Sequence, residues 1–187
     1  DFPHLMLRYR AMEFKQGKVP NTDRQLTETD RNGKLASKIT SLINWSSDRS
    51  NRLTRPLLEK AVGVHRDAEL PKYHGKIFEK RGSKENNEQD LVVGRKAILF
   101  ATCLVNFNIP SIGEAAKKVL AINDVKTKTI YPLCCGMPQL EQGNISRVAD
   151  SAKKVATDLQ PWVDKGYDII ALVPSCALML KFEWPLI

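Results

Sequence analysis

Cys134 and Cys135 are adjacent and are followed at once by Gly136, with one cysteine upstream, Cys103, and one downstream, Cys176. These four are all the cysteine in a chain of 187 residues. Thiols used so sparingly suit a metal centre or thiol redox chemistry, because thiolate sulfur is the ligand of iron–sulfur clusters and suits zinc as well. Residue types alone leave three chemistries open. An iron–sulfur cluster on four thiolates and a tetrahedral zinc site on the same four both fit these residue types. A redox dithiol at Cys134 and Cys135 comes last, since neighbouring cysteines close only a strained disulfide. The plain competitor is a set of buried structural thiols, because free cysteine is among the most often buried residues.

Each cysteine group follows a strand-like run. Lys96–Ala101 (KAILFA) precedes Cys103, Thr127–Tyr131 (TKTIY) precedes Cys134, and Tyr167–Val173 (YDIIALV) precedes Cys176. Helical patterns lie between them, at Ser111–Ile122, opened by Pro110 and Ser111, and at Ile145–Val163, opened by Asn144 and ended near Gly166. Pro161 is expected to kink the second or to begin a short final turn. Strand, helix, strand, helix, strand predicts an α/β fold with a Rossmann-like parallel sheet and right-handed crossovers. The loops beyond the carboxyl ends of such strands converge, which would bring all four thiols to one rim among turn amides and helix starts that favour anionic sulfur. Gly136 is expected to take a positive φ and let the backbone approach a bulky inorganic core, with Pro132 and Pro138 stiffening the loop.

These residues also carry a resemblance. Cys103, Cys134-Cys135-Gly136 and Cys176 within Pro174-Ser175-Cys176-Ala177-Leu178-Met179 resemble the CCG module of heterodisulfide reductase and of the C subunits of anaerobic glycerol-3-phosphate dehydrogenases. LPKY at Leu70–Tyr73, CLVNFNIP at Cys103–Pro110, CCGMP at Cys134–Pro138 and EWP at Glu183–Pro185 fall in the family's order, over residues 70–187. The resemblance implies iron–sulfur electron transfer to a quinone or disulfide acceptor, with Cys103, Cys134, Cys135 and Cys176 as ligands of a cluster, [4Fe-4S] in type. It implies an upstream ferredoxin-like domain in the same full-length protein and a flavin or other redox subunit as partners. The chain then reads as an internal piece, inactive by itself, that includes a first CCG domain incomplete at its C-terminus. Many such modules finish with a CxxC pair, whereas here Met179 stands at the last position; thioether sulfur is a poor iron ligand, so Met179 is expected in the core. A non-catalytic structural or docking subunit, holding zinc or a cluster, is the alternative function.

Composition sets the frame. A hydrophobic content of 42% supports a core, and the longest apolar runs fall far short of the roughly 20 residues a membrane-spanning helix needs. Four cysteines in an intracellular-type α/β chain favour a reducing, cytoplasmic setting, with peripheral association at the cytoplasmic face of the membrane left open. The net charge of +8 belongs wholly to the first part: residues 1–84 carry 18 Lys and Arg against 10 Asp and Glu, and residues 85–187 carry 11 against 11. This divides the chain into a basic, mostly helical arm at 1–80, a polar linker at 81–90 (RGSKENNEQD) and the cysteine-rich domain at 91–187. Helices are expected over Asp1–Lys15, with Phe2, Leu5, Met6, Tyr9 and Met12 as its packing face, over Leu35–Trp45 after a polar turn at Asn32 and Gly33, and over Arg55–Val62.

The arm's charge has three readings. It solvates a segment packed on other domains, docks on anionic lipid or an acidic electron-transfer partner, or binds nucleic acid. The first is preferred, and nucleic acid is disfavoured because no helix-turn-helix, zinc-finger spacing or aromatic array is present. His4, His65 and His74 are expected at the surface or in packing. Lys181 and Glu183 are expected at a solvated helix end, and Asn106 and Asn108 in turn formation rather than as donors to cluster sulfur.

Overall fold

In a computed structural model, which describes residues 2–81 and 94–187, the centre is a three-stranded parallel sheet. Its strands are β1 (Arg95–Phe100), β2 (Val125–Ile130) and β3 (Asp168–Ala171), in the order β2-β1-β3. All three sequence-predicted strands are present, and the sheet is parallel as expected. Register brings the strand ends level: Phe100 of β1 pairs with Ile130 of β2 on one side and with Ala171 of β3 on the other.

The middle strand is buried on both faces, which its apolar sequence requires. Alternate side chains supply the two cores. Ile98 and Phe100 face one core with Leu140, Val148, Val155, Leu159 and Met179, and Leu99 and Ala101 face the other with Phe78, Val105, Phe107 and Tyr131. The crossover from β1 to β2 runs through Pro110–Ile122 over the second core, and that from β2 to β3 through Ile145–Val163 over the first. The two crossovers lie on opposite faces, as right-handed connections to opposite sides of β1 demand. Ile145–Val163 is one unbroken helix with Pro161 in its last turn, and the Asn144 side chain caps its start by accepting from the Arg147 amide.

The first part of the chain is helical, as its sequence predicts. We number its helices α1 (Phe2–Lys15), α2 (Asn21–Leu26), α3 (Thr29–Ala36), α4 (Thr40–Ser47), α5 (Thr54–Val62) and α6 (Phe78–Arg81). Three expectations are corrected. The single helix expected over Leu35–Trp45 is divided between α3 and α4 at residues 37–39, where Ile39 leaves helical backbone with φ −129°. Asn32 and Gly33 lie inside α3 instead of in a turn, because the absent side chain of Gly33 lets the helix press on the Phe107 ring, where a Cβ would come 2.3 Å from Cδ2. The expected packing face of α1 is turned outward, with Phe2 72% and Leu5 61% exposed. The inward face carries Leu7, which packs on the first core, and the short Ala11, where Gly143 lies against the backbone of Arg10 and Ala11. Small residues decided that contact, and the larger apolar ones were left in solvent.

The arm packs on the cysteine-bearing half of the same chain. Phe78 of α6 is buried against Gly113 of the first crossover helix, Arg81 bonds Glu114 at 2.8 Å, and Arg10 reaches the Glu141 carboxylate at 3.2 Å. Arg55, 2% exposed, spends its guanidinium on the carbonyls of Arg66, His65 and Ala68, folding the 63–68 turn back on α5. Of the expected linker at 81–90, only Arg81 lies within the described residues.

Candidate metal centre

The flush strand ends carry the site. Cys103, Cys134 and Cys176 come three, four and five residues after the last residues of β1, β2 and β3, so three loops of similar length end at one rim. Helical backbone begins at each. Cys103 precedes a π-helical turn at Leu104–Asn108, Gly136 precedes the short helix Met137–Glu141, and Cys176 stands in the first turn of Pro174–Leu178. Neither the π-helical turn nor the short helix after Gly136 was visible in the sequence, since each is too short to show a period.

The sulfurs meet in two pairs. Cys134 Sγ lies 3.7 Å from Cys103 Sγ, and Cys135 Sγ lies 3.2 Å from Cys176 Sγ. All four are free thiols; Cys134, Cys135 and Cys176 are buried and Cys103 is partly buried. The chain of sulfurs favours one anion. Hydrogen bonding with Cys103 and then with Cys135 lowers the Cys134 thiol to about 3, and the same contacts, with burial, push the Cys103 and Cys135 thiols up. The Thr29 hydroxyl, buried without an oxygen or nitrogen partner, also favours the thiolates of Cys103 and Cys134.

Gly136 takes φ +91°, a conformation that L side chains rarely adopt, and its missing side chain faces Val148, whose Cγ1 lies 3.2 Å from where a Cβ would stand. Two long-range hydrogen bonds pin the loop. The indole of Trp184 donates to the Cys135 carbonyl at 3.0 Å, and the amide of Cys134 donates to the Asp30 carboxylate, 3.0 Å from each oxygen. Tyr131 donates its hydroxyl to the same carboxylate. Burial raises Asp30 above the usual carboxylate range, against those two hydrogen bonds, and burial followed by the Asp30 charge raises Tyr131. Asp30 was not singled out in the sequence, where it is one acid in a polar stretch with nothing local to mark it.

The other expected residues are accounted for by their contacts. Met179 is fully buried in the core beside the cysteines. Asn108 donates to the Lys72 carbonyl and the Asn106 oxygen accepts from the Glu79 amide, so both bind backbone. His4 sits 3.5 Å from Glu183, His65 is exposed beside Glu59 and Asp67, and Lys181 lies over the Phe182 ring. Among the described residues, no three His, Cys, Asp or Glu side chains are gathered as a ready-made single-ion site. None of the helices they form is long and apolar enough to cross a membrane.

Residues 97–181 match the family model of the cysteine-rich CCG domain. The chain is 26% identical over 162 residues to the C subunit of anaerobic glycerol-3-phosphate dehydrogenase from Escherichia coli K12, covering 86% of this chain and 40% of that one. It is 29% identical over 94 residues to the B subunit of fumarate reductase (CoM/CoB) from Methanothermobacter marburgensis, covering 49% and 18% respectively. It is 29% identical over 93 residues to lactate utilization protein A of Geobacillus kaustophilus, covering 48% and 36%. No solved structure matches. The chain thus spans about two fifths of the length of its first curated relatives. With its four thiols drawn to one rim by three parallel strands, the stretch from the first strand to beyond the last cysteine is similar to the cysteine-rich CCG domain.

Proposed function

We propose that Cys103, Cys134, Cys135 and Cys176 hold an iron–sulfur cluster of [4Fe-4S] type, with Gly136 giving the backbone room to approach it, in an electron-transfer module of an oxidoreductase. The observation that carries this reading is the meeting of four thiols from three separate loops, in two contact pairs at 3.7 and 3.2 Å. The donor set suits the group: it is all sulfur, four in number, and low in water access. Bound there, the cluster supplies one-electron transfer. The protein's part is to hold and shield it. The strands fix the loop ends, Phe100, Val148 and Met179 wall off water, and the preference for a thiolate at Cys134 lowers the cost of deprotonation that metal binding requires.

The names of the relatives support a place in a multi-subunit oxidoreductase. In this reading a ferredoxin-like domain of the full-length protein and a flavin or other redox subunit feed electrons in, and a quinone or disulfide takes them away. Residues 1–80 form the arm, 81–90 the linker and 91–187 the domain, working in the cytoplasm. Anaerobic reconstitution tests the site. About four iron and four sulfide per chain, with broad absorbance near 400 nm, is the expected result. About one zinc per chain and no colour would turn the same cysteines into a structural zinc site.

A further inference from the structure

Asp30 belongs to the arm, outside the residues that match the CCG family, and it is 104 positions from Cys134. It is 8% exposed. Both its partners at the site, the Cys134 amide and the Tyr131 hydroxyl, are donors, so the group acts purely as an acceptor, as a carboxylate does. Burying such a group is costly unless it is well bonded, and here its bonds are spent on the loop that carries two of the four cysteines. We propose that Asp30 is a positioning residue of the cysteine centre, clamping the Cys134 amide and Tyr131 so that the arm completes the site and lowers the potential of the cluster held there.

Two physical effects act in the same direction. An amide that donates to a carboxylate is withheld from cluster sulfur, and hydrogen bonds to sulfur are one of the levers on potential. A negative charge close to the cluster disfavours an added electron in a low-dielectric setting. The clamp itself needs no cluster, whereas its effect on potential rests on the function proposed above.

The test uses the full chain as wild type, Asp30→Asn and Asp30→Ala. Asparagine keeps an acceptor oxygen where Oδ1 accepts from both donors and removes the charge. Asp30→Asn keeps one of the two oxygens that accept from the Cys134 amide and is expected to keep wild-type iron and sulfide. Its reduction equilibrium is expected to shift tenfold or more toward the reduced cluster, at about 59 mV per tenfold for one electron. Asp30→Ala is expected to lose at least tenfold of the protection at that amide. A loaded Asp30→Asn protein with an unchanged potential would overturn the tuning role, and undiminished protection in Asp30→Ala would overturn the clamp. Should Asp30→Ala fail to fold, Asp30→Asn alone still decides the potential. A wild-type chain that takes up no cluster would sink the cluster reading by itself, leaving the exchange result to decide whether Asp30 holds the Cys134 amide.

Discussion

The indole N–H of Trp184 donates to the carbonyl of Cys135 at 3.0 Å, fastening the last helical turn of the chain to the loop that bears the paired cysteines. The same indole packs on the core that contains Cys134, Cys135 and Cys176. Trp184→Phe keeps an aromatic ring and removes the donor, leaving a buried carbonyl short of a partner. The expected loss is about 0.5–1.5 kcal/mol, read as a lower urea midpoint with unchanged slope. A midpoint equal to wild type would show that the hydrogen bond contributes nothing to the loop's hold.

Gly33 and Gly113 are the points where aromatic rings of one half of the chain press on helices of the other. A Cβ at Gly33 would stand 2.3 Å from Phe107, and one at Gly113 would stand 2.4 Å from Phe78. Either Gly→Ala change overpacks a contact between arm and domain and is expected to cost about 1–3 kcal/mol. Gly75→Ala is the comparison, because its Cβ would meet nothing closer than 3.6 Å. Denaturation midpoints that fall for the first two and hold for the third would agree with this packing; equal midpoints for all three would contradict it.

Gly136→Ala puts a side chain at φ +91° and 3.2 Å from Val148 Cγ1. The left-handed conformation alone costs about 1–2 kcal/mol. The loop relieves that strain by moving the cysteines, so the variant is expected to bind less iron after reconstitution as well as to melt earlier. Full iron content in a destabilised protein would limit Gly136 to a folding role.

Met179 stands where a further cysteine closes many similar modules, yet it is fully buried among apolar neighbours. Met179→Leu conserves volume and is expected to cost less than about 1.5 kcal/mol, with iron and sulfide unchanged. Loss of cluster on this substitution would make the thioether a ligand.

Much of the domain was legible in the sequence because its signals are local. The helix at Ile145–Val163 was delimited to the residue by an Asn cap and a long apolar period, and β1, β2 and β3 were placed to within two residues at each end by β-branched and aromatic runs. The convergence of the cysteines then followed from parallel topology alone. What stayed hidden was set by long-range contact. The outward turn of Phe2 and Leu5 depends on Ala11 meeting Gly143, the continuity of α3 through Gly33 depends on Phe107, and Asp30 is marked out only by Tyr131 and Cys134, about a hundred residues away. Periodicity within α1 reports which residues are apolar, and α1 buries whichever face fits its neighbour.

The central claim is that four cysteines act together on one cluster, and iron and sulfide per chain across Cys103→Ser, Cys134→Ser, Cys135→Ser and Cys176→Ser test it most directly. Each substitution replaces a thiolate with a hydroxyl of similar shape and poor affinity for iron. The account predicts about four iron and four sulfide in the wild-type chain and a marked loss in all four variants. Any variant that keeps the full complement removes its cysteine from the ligand set, and four variants that keep it would contradict the account outright.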